Sequence, residues 1–198
     1  MTEEGDARDG IDGGDGNGTG DPLAWETRGG EIEYSCPGFD VRRDDVTLPD
    51  GTETVFHYLT EPPSVVLLPF TPDGDVVVIE EWRQAVGRVN LGLPTGGLEG
   101  EETPIEGARR ELAEETGHEA AAFEELGTYE PANGLLDSTF HYFVARGCEP
   151  TAEQALDHNE SIRVGSASFT DLRDRAVAGE LRDGRSALAV LQYALRTE

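Results

Sequence analysis

Three glutamates in one short segment stand at a spacing that could bind a metal ion. Glu111, Glu114 and Glu115 lie three and four positions apart, so on a helix their carboxylates share one face. Like charges at this spacing cost an isolated helix about 0.2–0.5 kcal/mol per pair, and a helix C-terminus disfavours anions. Local helix stability therefore does not explain them. A bound divalent cation does, and a solvated acidic face is the alternative.

The segment that carries these glutamates has clear helix-boundary signals. Thr103 suits the N-cap, Pro104 suits the first helical position, and Glu106 completes a capping box. Gly117 is the expected left-handed terminator. We therefore predict a helix from about Pro104 to Thr116. Its predicted core-facing positions are Ile105, Ala108 and Leu112.

The overall charge limits the classes of partner. The 198 residues include 15 Lys and Arg, all of them arginine, against 41 Asp and Glu, giving a formal net charge of −26. Such a surface repels phosphate backbones and anionic lipid headgroups, which argues against nucleic acid and membrane surfaces as partners. A small phosphorylated ligand is compatible when a cation bridges the charges. Arginine without lysine, with a pI near 4.3, predicts a halophilic protein in a salt-rich cytosol.

Targeting signals and cysteines point to the cytoplasm. No apolar run approaches the roughly 18–20 residues that a membrane span needs, and the N-terminus lacks the pattern of a secretory signal. Cys36 and Cys148 could form one bridge at most, which is too few for a disulfide scaffold. These features predict a cytoplasmic protein with packed thiols.

Composition divides the chain into three parts. Residues 1–22 form an acidic, glycine-rich tail that we expect to be disordered. Residues 23–62 form a small antiparallel β unit with a turn at Pro49-Asp50-Gly51. Residues 63–198 form the main domain, which alternates strands and helices and therefore predicts an α/β class.

Within the main domain, two continuous apolar runs predict strands that are covered on both faces. They span residues 64–70 and 75–80 and flank a turn. Residues 90–100 read as a glycine-rich loop. Further strands are predicted near 123–129, 138–146 and 161–169, and two closing helices near 171–178 and 186–195.

The order of residues around the carboxylate helix resembles the Nudix box, G-x5-E-x7-R-E-U-x-E-E-x-G-U, in which U is a bulky aliphatic residue. The match starts at Gly96 and ends at Gly117, and it includes every fixed position between them. The last position departs, because His118 stands where an aliphatic residue is usual. The matching residues are Gly96, Glu102, Arg110, Glu111, Leu112, Glu114, Glu115 and Gly117.

The resemblance implies an α/β/α sandwich with a mixed sheet and a hydrolase that uses Mg²⁺ or Mn²⁺. It further implies that Arg110 orients the glutamates, and that Gly96 and Gly97 let the loop backbone approach the metal. Glu114 would be a further ligand or would organise water. The positions that it assigns to the metal are Glu111, Glu115, Glu114 and the carbonyl of Thr95.

The flanking segments are similar to the Q-Y-R-x-x … E-L-P-A-G stretch of ADP-ribose and nucleoside-diphosphate-sugar pyrophosphatases. Trp82 replaces the usual tyrosine, and Gly92 replaces the usual glutamate. The resemblance places Trp82 and Arg83 at the substrate, with Arg83 on a phosphate or the terminal sugar. A late acidic loop would supply Glu160 as a further ligand or the base. The general base stays open among Glu160, His158 and Glu114.

The leading hypothesis is therefore Mg²⁺-dependent hydrolysis of ADP-ribose or a related nucleoside diphosphate sugar to a nucleoside monophosphate and a sugar phosphate. One alternative is a Nudix hydrolase for dinucleoside polyphosphates or oxidised nucleoside triphosphates. Another is a non-catalytic nucleotide-sugar-binding regulatory module. The resemblance also implies a homodimer in which the β unit at 23–62 exchanges between subunits.

Overall fold

The computed structural model describes residues 20–197 and contains two compact units, divided between Leu59 and Thr60. The sequence places this division slightly later, after residue 62. Most of the predicted disordered tail, residues 1–19, lies outside the described residues, as does Glu198.

The first unit is a three-stranded sheet in the order β1-β2-β3. Its strands are β1 (Glu26–Cys36), β2 (Phe39–Thr47) and β3 (Glu53–Thr60). β1 includes Gly29 and Gly30, whose backbones pair with Asp45 and Asp44 of β2 despite the weak strand propensity of glycine. Strand pairing therefore extends the sheet beyond the apolar pattern.

Charged side chains of β2 pair with one another along the strand. Arg42 Nε donates to Asp44 Oδ1 at 2.8 Å, and Arg43 Nη2 donates to Asp45 Oδ1 at 2.7 Å. Asp44 is buried and also accepts a hydrogen bond from the Tyr58 hydroxyl at 3.1 Å. Arg42 and Arg43 therefore both form ion pairs with acidic residues of the same strand.

The second unit is built on a seven-stranded mixed sheet. The order is β10-β5-β4-β9-β8, with β6 paired to β5 and β7 paired to β4. β4 and β9 run parallel, while β4 with β7, β5 with β10 and β8 with β9 are antiparallel. The strands are β4 (Ser64–Phe70), β5 (Asp75–Arg83), β6 (Arg88–Gly92), β7 (Thr95–Gly97), β8 (Ala122–Tyr129), β9 (Phe140–Arg146) and β10 (Ile162–Ser168).

Helices cover both faces of this sheet and give the α/β/α sandwich. All seven residues of β4 are buried, and their side chains alternate between two cores. Val65 and Leu67 pack with Leu112 on one side, whereas Val66 and Leu68 pack on the other side with residues of the C-terminal helices. The helices are α1 (Pro104–Thr116), α2 (Phe169–Val177) and α3 (Gly184–Thr197). Among the described residues, no helix is long and apolar enough to cross a bilayer.

Two details differ from the sequence-based expectation. The predicted loop at 90–100 contains the end of β6 and all of β7, because Leu91 pairs with Glu80 of β5 and Thr95 pairs with Val66 of the buried strand β4. Ile105 is 40% exposed, so the buried stripe of α1 begins one turn later, at Ala108. Cys36 and Cys148 are free thiols, and Cys148 is buried.

Candidate active site

The boundaries of α1 set which face of the helix presents its glutamates. At the N-terminus, the backbone N–H of Thr103 donates to Glu106 Oε2 at 2.9 Å, as the capping box predicts. At the C-terminus, Gly117 adopts the left-handed region at φ 68°, and its N–H donates to the Ala113 carbonyl at 2.8 Å. The local sequence therefore fixes the helical register.

Glu111 and Glu115 point from this helix into the protein, beside the start of β7. They are only 7% and 2% exposed. Oε2 of Glu115 accepts a hydrogen bond from the backbone N–H of Thr95 at 2.8 Å. The carboxylate of Glu111 occupies the space in which a Cβ on residue 96 would lie, so any larger residue there would displace this carboxylate.

Arg110 donates hydrogen bonds to several acceptors at the outer edge of this carboxylate pair. Its Nη1 donates to Glu111 Oε1 at 2.8 Å and to Glu114 Oε2 at 2.9 Å. Its Nε donates to Glu102 Oε1 at 2.8 Å, and its Nη2 donates to the Gly97 carbonyl at 2.8 Å. One guanidinium thus links the helix to the loop that follows β7, and its planar fork satisfies several acceptors at once.

Burial disfavours the charged forms of both inner glutamates. Desolvation raises the pKa of Glu111 to about 7, although the charge and hydrogen bond of Arg110 oppose the shift. Desolvation raises the pKa of Glu115 to about 9, and the negative charges of Glu111 and Glu160 add to it against the Thr95 hydrogen bond. The protein alone therefore supplies too little positive charge to stabilise both carboxylates in their ionised forms.

Glu160 acts electrostatically on the buried carboxylates. The charge of Glu160 contributes to the raised pKa values of both Glu111 and Glu115. Oε2 of Glu160 accepts a hydrogen bond from the Asp157 backbone N–H at 3.0 Å, which closes a turn before β10. His158 lies exposed in that turn.

The two residues predicted to touch substrate project from opposite faces of β5. Arg83 is next to Glu81, with Nη2 2.7 Å from Glu81 Oε2. Trp82 lies between them in sequence, so its side chain points to the other face, where it is 48% exposed and donates from Nε1 to Gln84 Oε1 at 2.9 Å. The structure therefore places Arg83, but not Trp82, on the face that carries Glu81.

Glu81 is a buried site residue that the sequence interpretation did not single out. It is 7% exposed, and its Oε2 makes no well-formed hydrogen bond even though Arg83 is close. Burial raises the pKa of Glu81, while Arg83 opposes this shift. The signal was available, because Val77, Ile79 and Glu81 alternate along one strand and so share its face.

The donor set fits a divalent cation. Residues 20–197 contain no ready-made group of three His, Cys, Asp or Glu side chains at metal-binding separation. However, Glu111 and Glu115 are buried carboxylates that repel each other, and carboxylate oxygens are the ligands that Mg²⁺ and Mn²⁺ prefer. A cation between them would supply the compensating charge that the surrounding protein does not.

Known proteins share both the sequence pattern and the architecture. The chain is 28% identical over 172 residues to an ADP-ribose pyrophosphatase of Bacillus subtilis, which covers 86% of this chain and 92% of that protein. It is 29% identical over 158 residues to a methanol dehydrogenase activator of Bacillus methanolicus, covering 77% and 85%. A crystal structure of an ADP compounds hydrolase superposes with a TM-score of 0.76 at 20% identity, over 87% of this chain and 93% of that one.

The family model agrees with this architecture. The NUDIX domain matches residues 60–184, a range that begins where the second compact unit begins and contains α1 with all of its glutamates. The match covers more than half of the chain, and it includes the buried carboxylate pair and Arg110. The chain therefore belongs to the NUDIX family.

Proposed function

We propose that this chain hydrolyses the pyrophosphate bond of ADP-ribose or a related nucleoside diphosphate sugar in a Mg²⁺-dependent reaction, releasing a nucleoside monophosphate and a sugar phosphate. The observation that carries the proposal is the buried pair Glu111 and Glu115, which contacts Gly96 and Thr95 of β7. The similarity to an ADP-ribose pyrophosphatase supports this substrate class.

In this proposal the chain positions a cation and a water molecule. Glu111 and Glu115 would hold the cation, with Glu114 and the Thr95 carbonyl as further ligands, and Arg110 fixes Glu111 and Glu114 through the contacts described above. When bound, Mg²⁺ or Mn²⁺ supplies positive charge for the pyrophosphate and lowers the pKa of coordinated water. Gly96 and Gly97 keep the approach to this point free of side chains.

We assign the general base to Glu160, with Glu114 and His158 as the other candidates. The negative charge of Glu160 adds to the raised pKa of both Glu111 and Glu115, which supports a role for Glu160 beside the buried pair. A base there accepts a proton as the water oxygen attacks phosphorus and the bond to the leaving phosphate breaks. We expect Glu160→Gln to lower kcat about 100-fold or more with little change in KM, and His158→Ala to leave kcat within about twofold.

A substrate panel tests the reaction itself. ADP-ribose, GDP-mannose, UDP-glucose, a dinucleoside polyphosphate and a nucleoside triphosphate are incubated with enzyme, and the nucleotide products are separated and measured by anion-exchange chromatography. We expect preference for a nucleotide sugar, loss of turnover in EDTA and recovery with Mg²⁺. Preference for a triphosphate would support the other hydrolase class, and tight binding of ADP-ribose without turnover would support a regulatory module.

A pair of matched variants links the activity to the buried site. Glu115→Gln removes a buried carboxylate, whereas Glu101→Gln makes the same change at an exposed position before α1. We expect at least about 100-fold loss of kcat/KM for the first, since even outer ligand partners contribute 10–100-fold, and no loss for the second. Full turnover by Glu115→Gln would contradict the proposal.

We also propose that the chain forms a homodimer through its N-terminal sheet. This small unit exposes several large apolar side chains, more than a three-stranded sheet can cover by itself. Light scattering after gel filtration should give twice the mass of 21.4 kDa, and Ile32→Ser with Tyr34→Ser should give monomer. A wild-type monomer would contradict this assembly. The exposed residues are Trp25, Ile32, Tyr34, Phe39, Val55 and Phe56.

A further inference from the structure

A charge-balanced cavity lies beside the candidate active site, within the second unit. Its volume is about 210 Å³, and its lining includes Glu81, Arg83, Asn90, Asp183 and Arg185. Arg185 lies in the first turn of α3 and Asp183 immediately precedes that helix, about ninety residues after the β5–β6 hairpin that forms the other walls. Nothing in the NUDIX box points to these two residues.

The cavity adjoins the buried carboxylates through Glu81. Glu81 lies on the same face of β5 as Val77, and Val77 packs with Leu112 of α1, the helix that carries Glu111 and Glu115. Glu81 is 7% exposed, and its Oε2 lacks a well-formed hydrogen bond. Arg83 Nη2 lies 2.7 Å from this oxygen but without hydrogen-bond geometry, so a ligand that brings an aligned O–H or N–H group would satisfy this buried acceptor.

One wall of the cavity is fixed by a buried hydrogen-bond chain. The backbone N–H of Leu93 donates to Ser186 Oγ at 2.9 Å, and Ser186 Oγ donates to Asp183 Oδ2 at 2.6 Å. Nε of Arg185 donates to the other oxygen, Asp183 Oδ1, at 3.0 Å. Ser186 is fully buried, so Arg185 is presented from a rigid support.

The residues that line the cavity argue against the binding of a phosphate or of the base of a nucleotide sugar. Glu81 and Asp183 would repel a phosphate, and they already engage the two guanidinium groups. None of the described residues that line the cavity is aromatic, so the cavity offers no aromatic surface for a base to stack on. A volume of about 210 Å³ also accommodates a single ring and not a whole dinucleotide.

A ring that carries hydroxyl groups matches the carboxylates, guanidinium groups and aliphatic side chains that line the cavity. Carboxylates only accept hydrogen bonds and guanidinium groups only donate them, whereas a hydroxyl does both. Aliphatic walls such as Ile79 and Leu93 can cover the carbon face of such a ring. We propose that this cavity binds a sugar ring of the nucleotide sugar, with Arg185 as a binding residue; the inference rests on the proposed function and names the subsite for that substrate.

The test compares Arg185→Gln with Arg182→Gln, because Arg182 lies exposed just before α3 and does not line the cavity. The substrates are ADP-ribose, the β-methyl ester of ADP, which lacks the terminal sugar, and the 2′,3′-dideoxyadenosine analogue of ADP-ribose. We expect Arg185→Gln to lower kcat/KM for ADP-ribose about 10–100-fold, as for the loss of a charged hydrogen bond, and Arg182→Gln to have less than a twofold effect.

The two analogues identify which sugar is bound. If Arg185→Gln lowers kcat/KM for ADP-ribose but not for the methyl ester, the cavity binds the terminal sugar. If Arg185→Gln lowers kcat/KM for ADP-ribose but not for the dideoxy analogue, the cavity binds the nucleoside ribose. Equal losses on all three substrates, or no loss on any of them, would overturn the proposal.

A binding measurement keeps the inference testable if Arg185→Gln does not fold or if the wild-type chain proves inactive on the panel. Ribose 5-phosphate added to the wild-type protein should shift the Nε–Hε NMR resonance of Arg185 and leave that of Arg182 in place. Inorganic phosphate at the same concentration should not reproduce the shift. An unmoved Arg185 resonance would refute sugar binding, whereas absence of turnover in the wild type would refute the proposed function alone.

Discussion

The backbone N–H of Thr95 donates a hydrogen bond of 2.8 Å to Oε2 of Glu115, across twenty residues of sequence. Both residues are buried, at 8% and 2% exposure. This contact ties the last turn of α1 to β7, and it uses one oxygen of a carboxylate that burial drives toward its neutral form. The hydrogen bond of Glu115 and its negative charge therefore affect the stability of the protein separately, and variants can distinguish the two effects.

Glu115→Gln should stabilise the metal-free protein while it removes activity. The glutamine Oε1 can still accept the Thr95 hydrogen bond, but it carries no buried charge. Because burial raises the pKa of Glu115 to about 9, at neutral pH the wild type must take up a proton or bury a charge on folding. We expect the free energy of unfolding in EDTA, measured by urea denaturation at pH 7, to rise by about 1–3 kcal/mol.

The same pair of proteins reports on the cation. Addition of millimolar MgCl₂ should raise the melting temperature of the wild type and of Glu101→Gln, since a ligand that binds the folded state stabilises it. The melting temperature of Glu115→Gln should respond much less. A Glu115→Gln variant that is less stable than the wild type in EDTA would contradict the predicted cost of the buried charge. A variant that responds to Mg²⁺ as strongly as the wild type would show that Glu115 has no role in cation binding.

Gly96→Ala should damage the site far more than Gly97→Ala. A Cβ at residue 96 would overlap the Glu111 carboxylate, whereas at residue 97 it would meet no atom within 4 Å. We expect Gly96→Ala to lower kcat/KM about 100-fold and to cost about 1–3 kcal/mol of stability through overpacking. Similar kinetic constants for the two alanine variants would mean that the position of Glu111 is unimportant.

Arg110→Lys should weaken both stability and catalysis, although it preserves the charge. A single ammonium cannot reproduce the contacts to Glu102, Glu111, Glu114 and the Gly97 carbonyl. The arginine side chain is 19% exposed, so we expect a loss of about 1–3 kcal/mol in urea unfolding and about 10–100-fold in kcat. Arg109→Lys, which keeps a cation over the Phe123 ring, should be near neutral.

The stability of the protein should fall as the pH rises from about 9 to 11, in part because of Cys148. Burial raises the pKa of this thiol from 9.0 to about 11, so between these values the folded state holds a proton that the unfolded state has lost. Cys148→Ala should reduce the slope of unfolding free energy against pH in this window, and Cys36→Ala should not. Identical slopes for the wild type and Cys148→Ala would rule out this contribution.

Salt should stabilise the protein because its charge of −26 opposes the compact state. Screening shortens the Debye length from about 10 Å at 0.1 M to about 3 Å at 1 M salt. We expect the melting temperature to rise by at least about 5 °C between 0.1 and 2 M KCl, a shift that roughly 1–2 kcal/mol gives for a chain of this size. Replacing the exposed acids Asp73, Glu101 and Glu153 by their amides should reduce the rise. A flat response would contradict salt adaptation.

The sequence by itself determined the local elements and the chemistry of the carboxylate helix. Its capping box and terminal glycine fixed the bounds of α1, since these signals act within a few residues of one another. The spacing of Glu111 and Glu115 placed both on one face of that helix, and the unbroken apolar run at Ser64–Phe70 matched a strand buried on both faces. The pattern of fixed positions around them then indicated the family.

Only the tertiary structure decided what each carboxylate faces. Glu111 is buried against Gly96, and Glu115 against Thr95, because β7 pairs with β4 within a segment that reads as a loop. The buried oxygen of Glu81 and the link from Ser186 to Leu93 also depend on chain segments that are far apart in sequence. Helix periodicity and capping are local properties, whereas burial, hydrogen-bond partners and cavities arise when distant segments pack together.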